Sequence, residues 1–332
     1  MRVAQCDIVG TGGDSHCTFN VSTTSAIIAS SLLLIAKHGN RASTSKSGSA
    51  DVLSHMRPEQ PEISAITPNT ICQNYEHTNF AFLYAPVFHP GMKHVATVRK
   101  ELGWRTIFNL LGPLANPVEA LIEARVVGVA RRDLGQTFAE ALILGGARKG
   151  MVVCGAEDLD EISCAGETFC WRLVEKPSVA ANEEDEDEED GDGDDGETQT
   201  ETETQKTTVE IDHFTLRPAD FGLPAHALTD VAPGRGPEEN AITLGKMLRN
   251  ELPTDDAILH FVLLNAAALF VIAGVCEDGT GEDIVGGDVV TERGPGGGRW
   301  KEGVRLARWA IEKGVSWREW NAFVKSTNGF TT

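Results

Sequence analysis

Two glycine-bearing loops about thirty residues apart constrain this chain more than any other feature. The first reads Asp7-Ile-Val-Gly-Thr-Gly-Gly-Asp14 and continues into Asn20-Val-Ser-Thr23. The second reads Lys37-His-Gly-Asn-Arg41 and continues through Ser43 to Ser47-Gly-Ser-Ala-Asp51. An apolar, strand-like run precedes each loop (Ile8-Val9; residues 32–36), and a helix-like segment follows it. A strand that turns through glycine into a helix is the repeating unit of an α/β fold.

The rest of the chain keeps that alternation. Residues 25–34 read as a helix entering a strand at 32–36, and residues 49–56 open a second helix with Ser49 or Asp51 as capping candidates. Residues 80–84 are a short apolar run. Residues 89–103 carry Met92, Val95, Val98 and Leu102 at helical spacing, with Gly103 where a C-cap belongs. Strands are predicted at 124–130 and 150–154 around a helix at 134–144, then a strand at 207–214 and helices at 238–249, 254–275 and 300–313. The predicted fold is α/β, with a largely parallel central sheet flanked by helices. The Gly-rich stretch 279–298 reads as an extended surface loop with no catalytic role.

The net charge of −20 belongs mainly to one segment. Fourteen carboxylates and no Lys or Arg lie between residues 177 and 205, and without them the charge is −6. That tract is read as a disordered acidic insertion at 177–206, which divides the chain into a site-bearing part (1–176) and a remainder (207–332). Its charge repels phosphate backbones, so nucleic acid is not an expected partner. Seven cysteines without a CxxC pair, and no secretory signal at Met1, point to reduced thiols in a cytoplasmic protein. Residues 258–275 form the one long apolar run, but His260 and Asn265 interrupt it, so a buried core helix is expected and not a membrane span.

The loops also suggest chemistry. Glycine brings backbone N–H groups close to a ligand, and a following helix N-terminus adds partial positive charge. The spacing is neither that of a dinucleotide fingerprint nor that of a Walker A loop. The second loop packs Lys37, His38, Asn40, Arg41, Ser43, Thr44, Ser45, Lys46, Ser47 and Ser49 into thirteen residues, a density of donors suited to a phosphate cage. Two such cradles suit a substrate with phosphate at two ends, of which phosphoribosyl pyrophosphate is one. Asp160-Glu161 follows the strand ending at Cys154, where adjacent carboxylates are placed to hold Mg²⁺.

As a set, these residues resemble the anthranilate phosphoribosyltransferase family. Besides the two loops, the matching runs are His89-Pro-Gly-Met-Lys93, Val98-Arg99, Arg105-Thr-Ile-Phe-Asn109, Leu111-Gly-Pro-Leu-Ala-Asn-Pro117 and Asp160-Glu-Ile-Ser163, all in the family's order. Ser54, His16 and Cys17 depart from the usual pattern. The resemblance implies transfer of a phosphoribosyl group from phosphoribosyl pyrophosphate to the amine of anthranilate, with Mg²⁺ as cofactor. It implies that Gly10, Gly13, Asp14, Asn20, Ser22, Thr23, Lys37, Gly39, Asn40, Arg41 and Ser49 line the phosphoribosyl pyrophosphate site, with His38 and Ser43 in the same loop. It further implies that Ser22, Asp160 and Glu161 bind the metal, and that Gly10, Asn40 and Arg99 contact anthranilate. Asn40 and Arg99 would position the reactants, with no dedicated general base. His89 would cap or pack near a helix start.

Family members begin with a small helical domain that supports a homodimer, and the expectation is that this domain is mostly missing here. The face of residues 89–103 that would meet it is then expected to be exposed. Two other readings are a pyrimidine nucleoside phosphorylase-like enzyme of the same superfamily and an inactive paralogue acting as a binding protein.

Overall fold

The computed structural model describes residues 5–14, 16, 18–42, 47–102, 106–177, 207–232, 234, 236–277 and 285–330. Its strands are β1 (Gln5–Gly10), β2 (Leu34–Gly39), β3 (Phe80–Tyr84), β4 (Ala124–Gly128), β5 (Lys149–Gly155), β6 (Thr168–Pro177) and β7 (Thr207–Leu216). They form one sheet in the order β3-β2-β1-β4-β5-β6-β7. The pairs from β3 through to β5 are parallel. The last two strands are antiparallel additions at one edge.

Helices cover both faces. They are α1 (Val21–Ala29), α2 (Ser49–Leu53), α3 (Ile71–Tyr75), α4 (Ala85–Phe88), α5 (Lys93–Leu102), α6 (Ile107–Leu111), α7 (Gly135–Leu144), α8 (Pro237–Leu248), α9 (Ala257–Ala273), α10 (Trp300–Glu312) and α11 (Val315–Gly329). Alternation along the strands divides the core, because successive side chains point to opposite faces. Val126, Met151 and Val153 pack with α1, α9 and α10 on one side. Val127, Val152 and Cys154 pack with Phe138, Ala139 and Leu142 of α7 on the other. Helix α9 is apolar all round and buried along nearly its whole length, and Asp256 caps it by accepting the Leu259 N–H at 2.9 Å. Among the described residues no helix is long and apolar enough to cross a membrane.

Most predicted elements are present with their ends shifted by a few residues. The predicted helix at 25–34 is instead α1, which starts at Val21 and leaves Leu33 in a turn before β2. The short helices α3, α4 and α6, the strand β6 and the helix α11 are not among the predicted elements. In β6, Arg172, Glu175 and Lys176 break the apolar run, and in α11 Ser316, Ser326 and Thr327 fill buried positions where hydrophobic residues were sought. The acidic tract separates the two strands of a hairpin whose flanking residues pair directly, Pro177 opposite Thr207. Gly103 lies outside the described residues, so the predicted C-cap of α5 does too. Val98 and Leu102 on α5 are 55% and 51% exposed, and Ile107 and Leu111 on α6 are exposed as well.

The described part of the Gly-rich stretch is pinned to the start of α10. The Glu302 carboxylate accepts the Val290 N–H, Arg299 donates to the Val290 carbonyl, and the Trp300 indole donates to the Pro295 carbonyl.

Candidate active site

In open α/β sheets, ligands bind beyond the carboxyl ends of the strands, where the strand order reverses. Here β2 and β3 extend to one side of β1 and β4 to the other, so the reversal falls between β1 and β4. Their last residues, Gly10 and Gly128, are partners in register. Both are glycine for want of space: a Cβ on Gly128 would overlap the Asp160 carbonyl, and one on Gly10 would overlap the Asp160 carboxyl. The loop after β5 therefore sits directly on the switch point.

The first glycine loop wraps the same carboxyl group. The Gly12 N–H donates to Asp160 Oδ2 at 2.6 Å, and the Thr11 N–H donates to the Gly128 carbonyl at 2.9 Å. Gly12 and Gly13 have φ of 69° and 74°, the left-handed conformation that glycine adopts without a steric cost. Asp14 lies close enough to Asp160 for the two carboxyl groups to influence each other's protonation. His16, bulkier than the family pattern, reaches the Glu157 carbonyl through Nε2 at 2.6 Å. Glu161 lies near the start of α1, where the Ser22 N–H favours its charged form against the effect of burial. Thr23 Oγ1 and Asn20 Oδ1 are buried at the same helix start.

The electrostatics are unbalanced. Burial raises the affinity of Asp160, Glu161 and Asp14 for protons, and the proximity of Asp160 and Asp14 adds to this at Glu161. Lys37 is 2% exposed, and burial lowers its pKa against the pull of Asp7, Glu161 and Asp160. Glu161 Oε2 is sealed from solvent with no hydrogen-bond partner among the described residues. A divalent cation would satisfy that oxygen and offset the clustered negative charge, so the donor set fits Mg²⁺. Among the described residues no three His, Cys, Asp or Glu side chains form a ready metal cage. Two carboxylates are nevertheless what Mg²⁺ ordinarily takes from protein, together with waters and substrate phosphates.

The second loop is tied down by Asp51. Its Oδ2 accepts the Ala42 and Gly48 N–H groups at 2.8 and 3.1 Å, and its Oδ1 accepts Arg41 at 3.1 Å. Of the two capping candidates, Asp51 thus caps α2, while the Ser49 hydroxyl donates to the Asn40 carbonyl at 3.1 Å. Arg41 also donates to the Tyr84 hydroxyl, which holds it at the protein surface. Gly39 packs against Ser49 and the Phe82 ring.

His38 lies beside His89, with ring centroids 5.0 Å apart, and burial pushes its pKa down to about 4. So His89, expected to cap or pack, packs on His38; it makes no side-chain cap at the short helical turn that follows.

The structure thus brings Gly10, Gly13, Asp14, Asn20, Ser22, Thr23, Lys37, Asp160 and Glu161 to the ends of β1, β2 and β5, with Gly39, Asn40, Arg41 and Ser49 in the adjoining loop. Ser43 lies outside the described residues; Arg99 lies on α5, and its side chain is likewise outside them. Asp7 and Asn116 went unassigned from sequence. Asp7 is 1% exposed beneath Lys37 and accepts from Asn116 Nδ2 at 2.9 Å, and the same nitrogen donates to the Ala36 carbonyl. Their presence in two of the matching runs was the available signal.

Comparison with known proteins agrees with this geometry. The model for the glycosyl transferase family, a/b domain, matches residues 2–188 and 188–316. An anthranilate phosphoribosyltransferase of Schizosaccharomyces pombe is 40% identical over 318 residues, covering 96% of this chain and 73% of that protein. The anthranilate phosphoribosyltransferase of Saccharomyces cerevisiae, solved in complex with PRPP and Mg, superposes with a TM-score of 0.76 at 31% identity, over 98% of this chain and 74% of the other. The same enzyme in complex with 4-fluoroanthranilate gives 0.71 at 30% identity, over 98% and 74%. On sequence and fold together, the chain belongs to the anthranilate phosphoribosyltransferase family.

Proposed function

We propose that this chain transfers the 5-phosphoribosyl group of phosphoribosyl pyrophosphate to the amine of anthranilate and releases pyrophosphate. The observation that carries the reading is the buried Asp160–Glu161 pair, which meets the first glycine loop, the start of α1 and Lys37 at the sheet's switch point. The relatives' names, and the yeast complexes with PRPP, Mg and 4-fluoroanthranilate, support it.

In this reading Asp160, Glu161 and Ser22 hold Mg²⁺. Bound there, the ion neutralises charge on the departing pyrophosphate. The N–H groups of the first loop and of the α1 N-terminus bind phosphate oxygens, and Lys37 adds a fixed charge. The Asn40 loop, with Arg41, Ser43 and Ser49, takes the other end of the substrate. Arg99 pairs with the anthranilate carboxylate through two parallel hydrogen bonds and sets the amine under C1, while Asn40 orients it. The C1–O bond breaks as the C1–N bond forms, and the amine proton passes to solvent. An aromatic amine needs no strong base, so positioning supplies much of the rate.

Residues 1–176 and 207–332 are read as one catalytic α/β unit interrupted by an insertion at 177–206. The free cysteines support a cytoplasmic setting. Steady-state kinetics of Arg99→Ala test the anthranilate assignment. The KM for anthranilate should rise at least tenfold more than that for phosphoribosyl pyrophosphate; equal changes would refute it. Pyrophosphate release that requires anthranilate, and is not replaced by phosphorolysis of a pyrimidine nucleoside, separates this reading from the nucleoside phosphorylase and the binding protein.

A further inference from the structure

Helix α9 is almost entirely hydrocarbon, and an amide in such a helix costs free energy unless its hydrogen bonds are met. Asn265 is 2% exposed in the middle of α9, and its amide bonds to backbone groups of the protein. Its Oδ1 accepts the Ile162 N–H at 3.0 Å. Its Nδ2 donates to the Ile162 carbonyl at 3.2 Å and to the Phe261 carbonyl, one turn back on α9, at 3.0 Å. One side chain therefore clamps both backbone groups of the residue that follows Glu161. A leucine, with the same branched skeleton, would suit an apolar helix better, so the amide is explained by the loop and not by the core.

Neighbouring residues of the β5–β6 connection are held from other directions. The Ser163 N–H donates to Thr168 Oγ1 at 2.9 Å, and the His226 N–H donates to the Cys164 carbonyl at 2.8 Å. Upstream, the Gly155 N–H donates to the Leu159 carbonyl at 2.8 Å. Between these anchors the peptide carrying Glu161 is fixed by Asn265.

We propose that Asn265 is a positioning residue for the metal site: its two bonds to Ile162 set the direction in which Glu161 projects toward α1 and Lys37. The inference rests on the reading of Asp160 and Glu161 as metal ligands. Partners one step removed from metal ligands typically change metal affinity by about ten- to a hundredfold when lost.

The test is a Mg²⁺ titration of the full chain at saturating phosphoribosyl pyrophosphate, read as the rise in melting temperature, with backbone hydrogen exchange of the 156–166 segment alongside. Asn265→Leu keeps the branched shape and removes the clamp. Asn265→Asp keeps an acceptor for the Ile162 N–H and covers the case in which Asn265→Leu does not fold. Val271→Ala, a buried truncation further along α9, is the control for loss of stability alone. The expected result is a Mg²⁺ midpoint about tenfold higher in Asn265→Leu and about threefold higher in Asn265→Asp, with faster exchange at 156–166 and an unchanged midpoint in Val271→Ala. A wild-type midpoint in both Asn265 variants, or an equal shift in Val271→Ala, overturns the proposal. A wild-type protein with no Mg²⁺-dependent shift overturns the metal reading itself, and the proposal with it.

Discussion

At the scale of single residues, the site is defined by buried charges and by one imidazole, His38, that burial holds away from its usual protonation. His38 shows the consequence for stability. Its folded pKa of about 4 lies below the ordinary 6.5, so the fold favours the neutral ring. The unfolded chain takes up the proton first as pH falls. The stabilising contribution is therefore complete above pH 6.5 and is lost between 6.5 and about 4, amounting to roughly 3 kcal/mol. Urea unfolding at pH 7.5 and pH 4.5 should show a larger acid loss in wild type than in His38→Gln. Equal losses would contradict the buried, neutral assignment. In the sequence His38 is legible as a candidate site residue in a donor-rich loop, but its burial is not. The histidine became informative only when the fold set it against His89 and the Gly112 backbone.

At the scale of elements, the glycine loops work because other segments brace them. Asp51, in the first turn of α2, bonds two backbone N–H groups and Arg41 across the second loop. Asp51→Ala should cost about 1 kcal/mol of stability, as the loss of a helix-end carboxylate usually does. It should also raise the KM for phosphoribosyl pyrophosphate severalfold while leaving that for anthranilate nearly unchanged. Denaturant unfolding and two-substrate kinetics check both parts, and an unchanged KM would mean the loop keeps its shape unaided. The parallel strands were legible because apolar runs punctuated by glycine leave few other folds open. Only half of the edge hairpin was: β7 answers to the strand expected at 207–214, whereas β6 carries charges among its buried residues, and pairing along the sheet makes it a strand. Asp160 and Glu161 were legible as adjacent carboxylates after a strand. Their engagement with Gly10, Gly12 and Gly128, from opposite ends of the sequence, needed the switch point.

At the scale of the molecule, one sheet carries the site at its parallel centre and the acidic tract at its antiparallel edge. Pro177 and Thr207 pair directly, so the hairpin closes whatever lies between them. Loop-closure entropy varies only slowly with length. Replacing residues 180–204 with a four-residue Gly/Ser turn should leave the melting temperature within a few degrees and kcat/KM within about twofold, while raising the isoelectric point. Calorimetry and steady-state kinetics check this; a large loss of either would assign the tract a part in the fold or the reaction. The chain covers 73% of the length of its fission yeast relative.

One measurement tests the proposed phosphoribosyl transfer most directly. Anthranilate is mixed with phosphoribosyl pyrophosphate, Mg²⁺ and the purified chain, and its fluorescence is followed with time. The account predicts a loss that requires Mg²⁺ and falls by at least a hundredfold in rate in Glu161→Gln, with the variant's fold intact by circular dichroism. A loss that persists undiminished in Glu161→Gln, or without Mg²⁺, would contradict it.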